Sequence, residues 1–303
     1  MSSKEINKDN KVKNYEEKYE LMNELGRGSF GKVFKAKVKG EDIYVAIKII
    51  DKGKIKTALR SEYDKQDVEQ EYNTTYNKDF RKEIYYLKEC QKNGNKNSVK
   101  FYESFETDDE FIIVMELCHG NLKSLIKRIQ RTFNLDEIYE FLSQLNNTFK
   151  IMIENENKIA HRDLKLENIL IKYKDEEHKK YIIKLNNYDC SKRLSSLTEN
   201  YLDDIIGTLP YMAPEILKGE KYNYKCDLWS IGIIIYILYF GIFPYRAKNQ
   251  KAIINEIEQL GKKILKETDN KELDDLIKKL LEKDPSKRLT WDEYFNHPFF
   301  GAN

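Results

Sequence analysis

The residues best suited to chemistry begin at Gly26. Gly26-Arg27-Gly28-Ser29-Phe30-Gly31-Lys32-Val33 spells GxGxxGxV. Glycines lack Cβ, so backbone N–H groups there can close over phosphate oxygens. Taken alone, the pattern fits either a dinucleotide fingerprint or a glycine-rich turn. The next residues separate the two, because Val33-Phe34-Lys35-Ala36-Lys37-Val38 alternates like a strand where a dinucleotide fold needs a helix. Further on, Val45-Ala46-Ile47-Lys48 embeds a lysine in an apolar run. Such a cation is costly unless paired, and a phosphate together with a carboxylate satisfies it. Glu83, three residues after Phe80 in the next helical pattern, is the candidate carboxylate. Zinc chemistry is not expected. The four cysteines, Cys90, Cys118, Cys190 and Cys226, are far apart and form no CxxC pair. They fit a reducing compartment better than a disulfide framework, so a cytoplasmic location is expected.

The elements that must position these residues fall into two halves. From Tyr19 to about Glu116 the pattern favours strands, with β-formers over Val45–Ile50 and candidate strands at Val99–Phe105 and Phe111–Leu117. Phe80, Ile84 and Leu87 recur at helical spacing. After Leu117 the character turns helical. Ile138, Phe141, Leu142, Leu145, Phe149 and Met152 make one apolar face, and Leu273, Leu276, Ile277, Leu280 and Leu281 another. Residues 51–79 are polar with little consistent apolar face and read as a loop insertion, and residues 1–18 as a frayed tail. Tyr173–Lys180 reads as a hairpin tip or loop extension. All five prolines lie at Pro210 or beyond. The apolar run Ile231–Phe243 spans 13 residues, short of the ~20 needed to cross a bilayer, and reads as a buried helix. The start of the chain lacks the apolar run of a signal peptide. With 34% charged residues and a net charge of +2 among 303 residues, there is no basic excess to support nucleic-acid binding.

His161-Arg162-Asp163-Leu164-Lys165-Leu166-Glu167-Asn168 lies between the long helical face and the apolar run Ile169–Ile171. With this segment the chain resembles a eukaryotic-type serine/threonine protein kinase domain over about residues 19–300. The resemblance implies an α+β, bilobal fold with a small β-rich N-lobe (19–116) carrying one main helix, and a larger, mainly helical C-lobe (117–300). It implies that Asp163 takes or orients the proton of a substrate hydroxyl held in line with the γ-phosphoryl group, that Lys165 contacts that phosphate, and that Asn168 offers an oxygen to magnesium. Lys48 and Glu83 become the phosphate-binding lysine and its partner. Leu25, Gly26, Gly28, Ser29 and Gly31 take the places of the nucleotide-covering loop. Val33, Ala46 and Leu170 take the places that sandwich adenine. Met115 stands at the gatekeeper place, with the backbones of Glu116 and Cys118 placed to meet the base. The implied cofactors are ATP and Mg2+, and the implied partner is a protein with a serine or threonine acceptor. Thr208, in Gly207-Thr208-Leu209-Pro210-Tyr211-Met212-Ala213-Pro214-Glu215, matches the peptide-binding segment. Arg288 is expected to pair with Glu215, and His161 to pack rather than to move protons.

The pattern breaks at Asn187-Tyr188-Asp189, where the family has Asp-Phe-Gly. The flanks Lys184-Leu185 and Ser191-Lys192 fix the register, putting Asn187 at the metal-binding place, and a shift that makes Asp189 the ligand spoils both flanks. An amide oxygen coordinates magnesium without contributing negative charge. Leu166 replaces the usual proline. Two functions follow from the resemblance: a kinase transferring the γ-phosphoryl of ATP to serine or threonine, and a pseudokinase that binds nucleotide but works as a scaffold. Ser195, Ser196, Thr198 and Tyr201 are candidate phosphorylation sites, with Arg162 as the receiving cation.

Overall fold

Short β-rich segments in the first third pair in the order that their alternation allows. In the computed structural model, strands β1 (Tyr19–Arg27), β2 (Gly31–Val38), β3 (Tyr44–Asp51), β4 (Phe101–Glu106) and β5 (Glu110–Glu116) form one sheet in the order β1-β2-β3-β5-β4. Every pairing is antiparallel. The structure describes residues 15–28, 31–60, 67–68, 72, 77–154, 158–175, 180–194, 202–260 and 265–301. Side chains alternate across a strand, and one face of β3, Val45, Ile47 and Ile49, enters a core with Ala36, Val38, Ile112 and Val114. The other face carries Ala46 and Lys48.

Two expectations shift here. Tyr15–Lys18 form a helical turn, and Tyr15 is buried in the sheet's core beside Tyr19, so the tail expected over 1–18 ends sooner. The polar stretch expected to be a loop begins with a helix, Lys52–Leu59. Its N-cap is Asp51, whose carboxylate accepts the Lys54 N–H at 3.0 Å, and it buries only Ile55 and Leu59. Two apolar residues four apart suffice to seat two turns but make no visible periodicity. The Glu83 helix runs Asn77–Glu89, with Phe80 stacked on Phe111.

By contacts the chain divides into two units, the first containing Met1–Lys88 and Lys100–Cys118, the second Glu89–Val99 and His119–Asn303. In the second unit the predicted apolar faces all lie inside. Ile138, Phe141, Leu142, Leu145, Phe149 and Met152 on helix Leu135–Glu154 are buried, as are Leu273, Leu276, Ile277 and Leu280 on helix Lys271–Leu280. The run expected to be a buried helix is one up to Phe240: helix Lys225–Phe240 is buried from Cys226 to Leu238, whereas Gly241 ends it in the left-handed region and Ile242 beyond is 42% exposed. No helix among the described residues is long and apolar enough to cross a membrane. Two antiparallel ribbons, β6 (Lys158–Ala160) with β9 (Lys192–Leu194) and β7 (Ile169–Asp175) with β8 (Lys180–Leu185), flank the loop 161–168. The expected hairpin tip falls between β7 and β8, and residues 176–179 of it lie outside the described residues.

Candidate active site

In the first unit the register brings four of the expected residues onto one sheet face. Directly opposed residues in an antiparallel pair share a face. Val33 stands opposite Lys48, and Ala46 opposite Met115; Ala46 and Lys48 share a face because they are two apart. Lys48 Nζ donates to Glu83 Oε1 at 2.6 Å, with side-chain exposures of 15% and 4%. The apolar strand around Lys48 thus holds its cation against a buried carboxylate, as its sequence context requires. Gly26 is paired with Val33, which makes the glycine segment a link between two strands. Its ends meet through Gly28 N–H donating to Gly31 O at 2.9 Å. A Cβ at Gly31 would lie 2.5 Å from Ile49 O, so only glycine lets β2 approach β3 here. Leu25 is exposed on β1. Glu116 N–H donates to Lys100 O at 2.8 Å, closing the sheet just before Cys118. Ser29 lies outside the described residues.

In the second unit, the segment 161–168 is tied down from helix Lys225–Phe240. The Asp227 carboxylate accepts the N–H groups of His161 and Arg162 at 2.7 and 2.8 Å. Burial pushes the Asp227 carboxyl up, against the pull of nearby His161 and of these two N–H bonds. Arg162 has φ +68°, in the left-handed region, so the bend that follows is fixed by backbone bonds rather than by propensity. Beyond that bend three side chains close a ring. Lys165 Nζ donates to Thr208 Oγ1 at 2.7 Å, Thr208 Oγ1 donates to Asp163 Oδ1 at 2.7 Å, and Lys165 Nζ is 2.7 Å from Asp163 Oδ2. Asn168 Nδ2 adds bonds to Asp163 O and Oδ2 at 2.7 and 2.9 Å. Asp163 is only 6% exposed, yet each oxygen is satisfied. Gly207 permits Thr208 to reach this ring: its φ is +118°, and a Cβ there would meet Arg162 O at 2.6 Å.

Asn187 has φ +66°, a conformation that asparagine adopts more readily than most residues. Asn186 N–H donates to Asn168 O at 3.0 Å, which links the Asn187 turn to the loop carrying Asp163. Asp189 is exposed and uses Oδ1 to accept its neighbour Cys190 N–H at 2.8 Å. Leu170 lies on β7, bridged to Asn121. His161 is fully buried, its Nε2 3.1 Å from Asn186 O, in keeping with packing. The Arg288–Glu215 pair forms as expected, bidentate at 2.6 and 2.9 Å and buried.

Sequence reasoning missed two partners. Arg162, expected to await a phosphate, donates from Nη1 to Asp204 Oδ2 at 2.8 Å and to Tyr222 Oη at 3.0 Å, and from Nε to Cys190 O at 2.6 Å. Burial raises the Asp204 pKa, but the bond and charge of Arg162 outweigh it and hold the carboxyl below its usual range. The candidate phosphorylation sites Ser195, Ser196, Thr198 and Tyr201 lie outside the described residues. Asp227, which anchors the loop, is 66 residues from His161 in the chain. Its sequence signal is the segment Asp227-Leu228-Trp229-Ser230-Ile231-Gly232, which opens the apolar helix but does not say what the carboxylate holds.

A divalent cation would have to draw on Asn168 and Asn187. No group of three or more His, Cys, Asp and Glu side chains among the described residues could hold a metal, and both Asp163 oxygens are already engaged by Lys165, Thr208 and Asn168. Magnesium sites use one or two carboxylates together with substrate phosphates. Two neutral amides do not fit a cation held by the protein itself.

Comparison with known proteins agrees with the geometry. The model of the "Protein kinase domain" family matches residues 19–300. CDPK-related kinase 7 of Arabidopsis thaliana is 33% identical over 95% of this chain and 46% of its own length. The calcium/calmodulin-dependent serine/threonine-protein kinase 1 of Oryza sativa subsp. japonica is 32% identical over 93% of the chain and 44% of its own length. Serine/threonine-protein kinase atg1 of Dictyostelium discoideum is 31% identical over 94% of the chain and 39% of its own length. The chain therefore spans less than half the length of these relatives.

Proposed function

This chain belongs to the protein kinase domain family, which uses ATP and a divalent metal and acts on proteins, and from that premise we propose that it transfers the γ-phosphoryl group of ATP to a serine or threonine hydroxyl. The observation that carries the proposal is the ring of Asp163, Lys165 and Thr208, closed at 2.7 Å on every side. A carboxylate whose two oxygens are fixed by three donors is held in one pose, which is what positioning a hydroxyl for in-line attack requires. In the transfer, the acceptor oxygen forms a bond to Pγ, the bond from Pγ to the bridging oxygen of ADP breaks, and Asp163 orients the acceptor hydroxyl and accepts its proton. Lys165 places positive charge beside the oxygens of the moving group. Lys48, steadied by Glu83, offers its ammonium to the remaining phosphates. Gly26, Gly28 and Gly31 cover the phosphates, and Val33, Ala46, Met115 and Leu170 present apolar surface to the base. The nucleotide brings its divalent ion, Mg2+ by the family's pattern, because the amides of Asn168 and Asn187 hold one poorly. The acceptor is a protein; the near-balanced charge offers no nucleic-acid surface, and the scattered thiols favour the cytoplasm.

Asn187 supports a second function, a nucleotide-binding scaffold with little transfer. It leaves Lys48, Glu83 and the glycines in place while removing a negative charge from the metal-binding position. The two are separated by incubating the protein with γ-labelled ATP, Mg2+ and a generic protein acceptor, with Asp163→Asn as the blank. Label in the acceptor above the blank supports the kinase. ATP-induced thermal stabilisation without label in the acceptor supports the scaffold.

A further inference from the structure

Resting on the kinase proposal above, we propose that the Tyr188 hydroxyl is a positioning group for Asn187: it pins the turn 186–191 and so fixes the backbone that carries the Asn187 amide. The family pattern has phenylalanine at this place, so the hydroxyl is an added polar atom. It is also fully buried, since Tyr188 is 0% exposed. A phenol oxygen in a core needs a partner, and this one lies 3.0 Å from Ser98 Oγ, itself on a buried residue. The buried Cys90 thiol touches the same group; burial raises its pKa to about 12, and the Tyr188 contact opposes that rise.

Ser98 is itself immobilised, being bridged to Leu185, while Val99 N–H donates to Leu185 O at 2.9 Å and Leu185 N–H to Asn97 O at 2.8 Å. The hydroxyl thus ties the middle of the turn to the segment that already holds its near end, and Ser191 at the far end is bonded back to Tyr188 O. Within the turn, Asn186 N–H donates to Asn168 O and Ser191 N–H to Tyr188 O, both at 3.0 Å, and the Tyr188 ring lies 5.3 Å from the His161 ring. Asn187 sits between these fixed points at φ +66°. A left-handed residue persists where its surroundings over-determine it. The turn also bears on the proposed base: Asn186 N–H holds Asn168 O, and Asn168 Nδ2 bonds the Asp163 carboxylate at 2.9 Å, so a loosened turn loosens the group that orients the acceptor hydroxyl.

The test compares Tyr188→Phe, Ser98→Ala and the double variant with the wild type. Amide hydrogen exchange at Asn186 and Ser191 is read on the free protein, and kcat and KM on a serine peptide well below the melting temperature. Losing one buried hydrogen bond is expected to speed exchange at both amides about three- to tenfold. Exchange in helix Leu135–Glu154 stays unchanged, and the double variant is no worse than either single one. In the same variants kcat falls by a similar factor while KM for the peptide holds. Unchanged exchange overturns the proposal, and so does faster exchange with wild-type kcat, which leaves the hydroxyl a purely structural part. If Tyr188→Phe does not fold, Ser98→Ala removes the same bond from its other end. A wild type that moves no phosphate refutes the kinase proposal alone, and the exchange rates then decide between pinned and unpinned.

Discussion

Replacing Asp163 with asparagine keeps size and shape but removes the charge and one acceptor. The carboxylate serves three donors: Thr208 Oγ1 on Oδ1, and Lys165 Nζ and Asn168 Nδ2 on Oδ2. The new amide has two orientations. With its nitrogen toward Lys165 and Asn168, three donor groups face one another. With its nitrogen toward Thr208, the hydroxyl must accept from both Lys165 and the amide. The second is the one that survives, so the Thr208 contact is reversed, its O–H is left without this acceptor, and the ion pair is lost at a site where the Lys165 side chain is 21% exposed. That predicts a modest stability loss of about 1–2 kcal/mol. The rate suffers far more, because no group remains to take the proton of the acceptor hydroxyl. A positioned general base contributes roughly 10²–10⁴-fold, which is about 3–5 kcal/mol in the barrier. The assay is steady-state phosphorylation of a serine peptide, with ATP affinity from a fluorescent analogue and stability from urea melts. The expected outcome is a kcat loss of about two to four decades with ATP affinity kept within about threefold. A kcat within about threefold of wild type would refute the role of Asp163, and a parallel collapse of stability would reduce it to a structural one.

Lys48→Met removes the cation 2.6 Å from Glu83, which is 3% exposed, and is expected to cost about 3–5 kcal/mol in a urea melt. Adding Glu83→Leu should restore part of that loss, and a double variant weaker than the single would contradict the pairing. Asn187→Asp restores a carboxylate to the metal-binding place and should raise kcat at least about tenfold with Mg2+, read in the same peptide assay; an unchanged rate would show that this position is not limiting. Arg288→Met leaves Glu215 buried without the guanidinium that binds it at 2.6 and 2.9 Å, with an expected loss of about 3–5 kcal/mol by urea denaturation. Asp204→Asn tests Arg162. The Asp204 carboxyl titrates below its usual value, so its contribution to stability is complete above about pH 4 and is lost as pH falls through the depressed value. Wild type should therefore melt above the variant at pH 7, with the gap closing toward pH 3.

Much of the candidate site was legible because its signals are local. The glycine segment, the apolar strand around Lys48 and the loop 161–168 each carry their chemistry within a few residues. The helical faces from Ile138 to Met152 and from Leu273 to Leu280 declared themselves through periods that burial then honoured. What stayed hidden depends on distant contacts. Tyr188 looks like a conservative aromatic until Ser98, ninety positions away, lies 3.0 Å from its hydroxyl. Asp204 carries no motif, and only the fold brings it to Arg162. Helix Lys52–Leu59 is polar enough to pass for a loop, since one cap and two buried residues suffice to hold it.

Phosphoamino-acid analysis of a mixed protein acceptor after incubation with γ-labelled ATP reads both the transfer and the identity of the accepting hydroxyl. Label on phosphoserine or phosphothreonine, absent with Asp163→Asn, is the predicted result. Label confined to phosphotyrosine, or none in a preparation that binds ATP, would contradict it.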